Sequence, residues 1–388
     1  MNLRSKVSSQ VFKWLKISNN FDYTHDHYRQ PMGYSKEGGG VLWRSLNDQG
    51  HPSSPIFNPD GTLTKSGAYA EVKNHALSSR MEPGSTFKLA ALLALVDDAG
   101  MSLDETFDTG NGARVKVGRT TVQDSHGLPP LNLKDAVAHS SNVFFARAVY
   151  ETYKDDPERY VDYLRHLHLD RTVGLEEFGA VAPIFPAPGM KIWYPDVSIV
   201  NMGYGYAIEL TPLHTLTLYN AVANEGRMIS PVLVRELRRG DRVEERFESR
   251  TISSSVCSRQ TLRIVRECLQ AVCTEGTASA FFRDTTRVRV AAKTGTAQIT
   301  DARSREGRYY LGSMVAFFPA DAPRYTVLTT IETRAQAGKA YYGGPLAGPV
   351  VKRMVDYIYN RGHDWYGRVG GDGPRRYPER VKGGNIAQ

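Results

Sequence analysis

Ser85 and Lys88 have the residue types and the spacing that covalent chemistry needs. A serine hydroxyl is a weak nucleophile until a nearby base takes its proton. On a helix, residues three apart share a face, so the Lys88 amine can reach back to the Ser85 hydroxyl. A lysine in water has a pKa of about 10.4 and stays protonated. Burial and a neighbouring cation both lower it, and the neutral amine can then act as the base. Lys293 can be that cation. The start of a helix also aims backbone N–H groups at the site, which favours negative charge growing on a reacting oxygen. Ser140-Ser141-Asn142 and Lys293-Thr294-Gly295-Thr296 add further hydroxyls, an amide and a second amine.

Each pattern is weak alone. Ser-x-Asn recurs at Ser18-Asn19-Asn20 and Ser45-Leu46-Asn47, and Lys-Ser-Gly at Lys65-Ser66-Gly67. Order and context separate the sets. Ser85 follows Glu82-Pro83-Gly84 and opens an apolar helical run, Ser140 lies at a helix break, and Lys293 closes an apolar strand. The bland alternatives are a helix cap at Ser85 or Asn142, a strand-end lysine at Lys293, and Thr294 and Thr296 as ordinary strand formers. Ser141 reads as filler.

The elements that must position these residues are read from periodicity. Phe87, Leu89, Leu92, Leu93, Leu95 and Val96 cover nearly all sides of one helix, which predicts a central buried element ending before Gly100. Helices are expected from Leu133 to Ala138, from Val143 to Tyr153, from Pro157 to His168 and from Pro212 to Asn224. Cys268 and Cys273 fall in another helical stretch. Late in the chain the period becomes two, predicting strands at Arg287–Ala292, Gly312–Phe318 and Tyr325–Thr333. Pro319 to Pro323 turns the last two into a hairpin. Pro349 is expected to open a final helix through Val350, Met354, Val355 and Ile358. Before residue 58, Gly38-Gly39-Gly40, Pro52 and Pro55 break any period. Loops and one short helix near Val11–Ile17 are expected there, then a turn at Asn58-Pro59-Asp60-Gly61.

The 388 residues are 41% hydrophobic and 23% charged, a globular composition. The net charge of +8 comes without paired Cys/His zinc spacing or an aromatic RNA-binding signature, so a nucleic-acid module is not indicated. Three cysteines, Cys257, Cys268 and Cys273, form no C-x-x-C pair, which argues against zinc or thioredoxin-like chemistry. No apolar run approaches the roughly 20 residues of a membrane span.

Glu82-Pro83-Gly84-Ser85-Thr86-Phe87-Lys88, Ala138-His139-Ser140-Ser141-Asn142-Val143 and Ala292-Lys293-Thr294-Gly295-Thr296-Ala297-Gln298 together resemble the three motifs of class B penicillin-binding proteins. Gly203-Tyr204-Gly205 with Leu210-Thr211-Pro212-Leu213, and Tyr341-Tyr342-Gly343-Gly344, are similar to the division-specific septal branch. The resemblance spans residues 58–360, leaving 1–57 as an unplaced segment and 361–388 as a Gly/Arg-rich tail. It implies an α/β fold of the penicillin-binding-protein and serine β-lactamase type: an antiparallel sheet flanked by helices, plus a helical lobe.

The resemblance also implies a function. Ser85 would attack a stem peptide ending in D-Ala-D-Ala, Lys88 would take its proton, Ser140 would relay a proton to the leaving amine, and Asn142 would hold the substrate amide and Lys88. Lys293, Thr294 and Thr296, with Gly295 between them, would bind the terminal carboxylate. The N–H groups of Ser85 and Thr296 would form the oxyanion hole. β-Lactams would trap Ser85; no metal or organic cofactor is called for. A membrane division complex with a glycan-polymerising partner, and a place on the extracytoplasmic face of the membrane, follow from the family alone. Members carry a membrane helix and a pedestal domain before the catalytic domain, so an anchor encoded upstream is expected. They also carry early sheet strands, for which Val41-Leu42-Trp43 is a weak match. A serine β-lactamase needs a deacylating glutamate motif that is not found here. A non-catalytic scaffold and a carboxypeptidase, which differs only in using water as acceptor, remain the other readings.

Overall fold

The computed structural model describes residues 2–12, 15–24, 74–239, 242–283, 288–299, 307–336 and 341–360. The chain divides into two compact units, Met1–Asn74 and His75–Gln388. In the first, β1 (Asn2–Phe12) and β2 (Leu15–Thr24) pair antiparallel, with Leu3 opposite Tyr23 and Ser9 opposite Ile17. The helix expected near Val11–Ile17 is therefore not formed. Leu15, Ile17, Phe21 and Tyr23 recur with the period of a strand, and that period wins over a short apolar cluster. The expected Asn58–Gly61 turn and the 361–388 tail lie outside the described residues.

The second unit is built around α1 (Lys88–Leu93), entered through a 3-10 turn at Gly84–Phe87 and continued by a π turn at Ala94–Asp98. Leu89, Leu92, Leu93 and Leu95 are buried, as all-round apolarity requires. Then come α2 (Leu133–Ala138), α3 (Asn142–Tyr153), α4 (Pro157–His166), α5 (Val197–Tyr204), α6 (Pro212–Ala223) and α7 (Arg259–Thr274). Their starts carry local signals. Asn132, Ser141, Asp156 and Ser258 each accept a hydrogen bond from a first-turn N–H, and Pro157 and Pro212 sit in first turns. Helix α7 buries Leu262, Val265, Leu269 and Val272 along one stripe, a spacing that the sequence reading used only for its two cysteines.

The sheet is β3 (Ala291–Ile299), β4 (Tyr309–Phe318) and β5 (Tyr325–Arg334), antiparallel in that order, so β3 is an edge among the described residues. The expected hairpin is formed by β4 and β5. The first strand starts later than expected and runs further, which moves Lys293 from the strand's end to its interior, opposite Val315. Helix α8 (Gly343–Asn360) begins before Pro349. Pro345 occupies the first turn, where the missing N–H costs nothing, and Pro349 is carried inside the helix. Burial of Ala347, Val351 and Val355, four apart, holds that helix in place.

Alternation along β3 splits its residues between two faces. Gly295 faces the turn that carries Ser85: a Cβ there would lie 2.7 Å from Thr86 Cγ2. On the other face, Gly312, the partner of Thr296, packs on Leu346 of α8. The Ser85 turn itself is pinned from two sides. A Cβ on Gly84 would lie 2.7 Å from the Thr296 carbonyl oxygen, and one on Gly205 would lie 1.9 Å from the Gly84 carbonyl oxygen. Gly205 also holds φ +96, and its carbonyl accepts from the Gly84 N–H at 3.0 Å. Gly205→Ala adds left-handed strain to a backbone clash and is expected to cost on the order of 3 kcal/mol or more. A urea melt checks this; a loss below about 1 kcal/mol would mean that the Ser85 turn is not braced there.

Candidate active site

The 3-10 turn places Ser85, and the first residue of α1 places Lys88 behind it. The Lys88 amine lies 2.9 Å from Ser85 Oγ, 2.7 Å from Asn142 Oδ1, 2.6 Å from the Ser140 carbonyl oxygen and 3.2 Å from Ser140 Oγ. Four oxygens exceed the three N–H groups of an ammonium, so the arrangement does not require the amine to donate to Ser85. As a neutral amine it has a lone pair for the serine proton. From the opposite side the Lys293 amine donates to Ser140 Oγ at 2.7 Å and to the Thr294 carbonyl at 3.2 Å. One hydroxyl, Ser140 Oγ, is thus shared by two lysines.

Both amines are 1% exposed. Burial drives the Lys88 pKa well below the ordinary lysine value, and the nearby Lys293 lowers it further; Asp124 opposes the shift. Burial alone brings Lys293 down to about 7. By contrast, burial pushes the Cys257 and Cys268 thiols up to about 12, which removes them as nucleophiles at neutral pH.

Ser140 sits in the bend between α2 and α3 with φ +59, a left-handed conformation that few residues adopt without help. The bend turns both its hydroxyl and its carbonyl toward Lys88. Ser141 is not filler. It is fully buried, caps α3 by accepting from the Phe144 N–H at 3.0 Å, and donates to Asp124 Oδ2 at 2.7 Å. The cap role weighed for Asn142 therefore belongs to its neighbour, and the Asn142 side chain is left for Lys88. Asp124 Oδ1 accepts from the Asn142 N–H at 2.5 Å and the Val143 N–H at 3.2 Å.

Ser85, Lys88, Ser140, Asn142 and Lys293 are thus linked by direct hydrogen bonds. Thr294 and Thr296 flank them on the alternate face of β3. The Thr294 hydroxyl is 2.7 Å from that of the exposed Thr277, and Thr296 Oγ1 accepts from the Gly343 N–H at 3.0 Å. Sequence reasoning missed Asp124, Thr277 and the bracing role of Gly205. Asp124 and Thr277 stand in polar segments without periodicity, so no local signal marks them; Gly205 was visible only inside a family motif. Among the described residues, no group of three or more His, Cys, Asp or Glu gathers to hold a metal ion, and no helix is long and apolar enough to cross a membrane.

Comparison with known proteins agrees with this constellation. A family model described as the penicillin binding protein transpeptidase domain matches residues 49–356. The probable peptidoglycan D,D-transpeptidase PenA of Neisseria flavescens is 27% identical over 317 residues, covering 79% of this chain and 71% of that protein. Stage V sporulation protein D of Bacillus subtilis is 26% identical over 319 residues, covering 79% of this chain. The chain spans only 46% of that relative's length. Penicillin binding protein 3 of Mycobacterium tuberculosis, solved in complex with ampicillin, shares the fold with a TM-score of 0.63 at 24% identity, covering 75% of this chain and 65% of that one. With a serine and a lysine in contact at the head of a buried helix and a family match across most of its length, the chain belongs to the penicillin-binding protein transpeptidase domain family.

Proposed function

We propose that the chain is a serine D,D-transpeptidase of peptidoglycan synthesis, working through an acyl-enzyme on Ser85. The observation that carries this reading is the buried Lys88 amine, held at hydrogen-bond distance from Ser85 Oγ and fixed from behind by Asn142 and Ser140. Ser85 Oγ attacks the carbonyl of the penultimate D-Ala of a stem peptide while Lys88 takes the hydroxyl proton. The acyl–oxygen bond forms as the peptide C–N bond breaks. Ser140, bonded to both lysines, passes a proton to the departing D-Ala amine. An amine of a second strand then attacks the ester and frees Ser85.

The N–H groups of Ser85 and Thr296 face the growing oxyanion in this reading, and Lys293, Thr294 and Thr296 receive the terminal carboxylate around Gly295. An edge position for β3 suits an extended peptide laid alongside it. Because the substrate lies outside the cytoplasmic membrane, the domain works on the extracytoplasmic face, in a division complex with a glycan-polymerising partner. Acylation by β-lactams follows from the same attack, and it is the simplest test.

Labelling with a fluorescent penicillin, followed by peptide mass spectrometry, is expected to find a stable adduct on Ser85 that Ser85→Ala abolishes. No adduct in a protein that is folded by circular dichroism overturns the proposal and favours a scaffold; rapid hydrolysis of the drug favours a β-lactamase. Removing the base in Lys88→Met should slow acylation by roughly 10² to 10⁴-fold. Acylation should also rise with pH as Lys88 loses its proton, well below the usual lysine range, because only the neutral amine accepts the serine proton. Lys293→Met removes a neighbouring cation, so Lys88 holds its proton to higher pH and the acid limb moves up. A limb that stays fixed or moves down would exclude Lys88 as the titrating base.

A further inference from the structure

Asp124 lies in the polar loop that follows the short strand Thr120–Val122, and it belongs to none of the three motifs. It is buried at 6% exposure, and its carboxylate hydrogen bonds go to the end of the α2–α3 bend and the first turn of α3. Oδ2 accepts from the Ser141 hydroxyl, and Oδ1 from the Asn142 and Val143 N–H groups. Those two N–H groups belong to the first turn of α3, where the positive end of the helix dipole favours an anion. Loop and helix are tied again by the Asn142 amide, which reaches the Gln123 carbonyl at 3.5 Å.

We infer that Asp124 is a positioning residue for acyl transfer: its carboxylate fixes the bend that delivers Ser140 and Asn142 to Lys88, and it is the counter-charge to the buried Lys88. The inference rests on Lys88 being the base that activates Ser85. The mechanical part follows from the contacts. Ser140 holds a left-handed backbone conformation that costs on the order of 1 kcal/mol, and a structure keeps such strain only where its surroundings enforce it. Asp124 grips the three residues immediately after it.

The electrostatic part follows from charge balance. The charged groups that bear on the Lys88 amine are Lys293 on β3 and Asp124 on the loop, one of each sign. Burial and Lys293 push the Lys88 proton off; Asp124 pulls it back. A base stripped of its proton too readily is a weak base, so the carboxylate keeps Lys88 basic enough to take a serine proton.

Asp124→Asn separates this from a purely structural role. Asparagine has nearly the same shape as aspartate, and its Oδ1 can keep both N–H contacts, but the charge is gone. The measurement is the rate of Ser85 acylation by a fluorescent penicillin between pH 5 and 9, with a thermal melt on each protein. The acid limb of Asp124→Asn is expected at lower pH than in the unaltered chain. Asp124→Ala, which also frees the bend, is expected to acylate about 10²-fold more slowly. A folded Asp124→Asn whose pH profile superimposes on that of the unaltered chain overturns the inference. If Asp124→Asn does not fold, Asp124→Thr carries the same test, with an uncharged hydroxyl in place of the carboxylate. Failure of the unaltered chain to label at Ser85 overturns the proposed function, and the inference with it. Labelling with an unmoved limb overturns only the inference.

Discussion

A lysine amine withdrawn from water has to be compensated or neutralised, and the rest of this domain is arranged around that requirement. At 1% exposure, a charged Lys88 without partners would cost several kcal/mol. The fold answers in both ways. It surrounds the amine with oxygens from Ser85, Ser140 and Asn142, and it places Lys293 where a second positive charge discourages the first. These groups come from three places far apart in sequence: the head of α1, the α2–α3 bend and the interior of β3. Only packing brings them together, and the apolar surfaces of α1, α3 and α7 supply that packing.

Backbone contacts set the tolerance of the arrangement. The turn bearing Ser85 passes between Gly205 and the Thr296 carbonyl with room for hydrogens alone on its glycines. A side chain at Gly84 would push the nucleophile away from β3, and one at Gly205 would drive the turn against it. The oxyanion-forming N–H groups proposed for Ser85 and Thr296 would then no longer converge on one point, and such donors act only when fixed in advance. Glycine here removes bulk so that two main chains can approach, and it also permits φ values closed to other residues.

The legible and illegible parts of this site differ in the range of the interaction involved. Ser85 and Lys88 could be read because helical geometry alone puts residues three apart in contact. The bounds of α2 and the start of α4 could be read because Asn132, Asp156 and Pro157 are local signals. The start of α8 was misplaced because two prolines compete for the same role and Pro345 satisfies it first. Lys293 was read at a strand's end because the apolar stretch stops there, whereas β-pairing with Val315 and Met314 carries the strand onward through polar threonines. Asp124 could not be read at all: its partners lie 17 to 19 residues away across a loop, a two-residue strand and α2, and no period marks a carboxylate that meets them. The short helix expected near Val11 failed for a different reason: a tight hairpin, with Phe12 opposite Leu15 and Gln10 opposite Lys16, takes up the same residues.

The left-handed backbone of Ser140 has a consequence for how this domain would change under selection. Glycine fits that conformation without strain, and asparagine fits it better than serine does. A screen that rewarded only resistance to heat would drift toward glycine at this position. It would return a sturdier protein lacking the hydroxyl that joins the two lysines. Serine at an unfavourable φ is therefore a mark of what the fold is for, and improvement by thermal criteria alone would erase the chemistry while preserving the architecture.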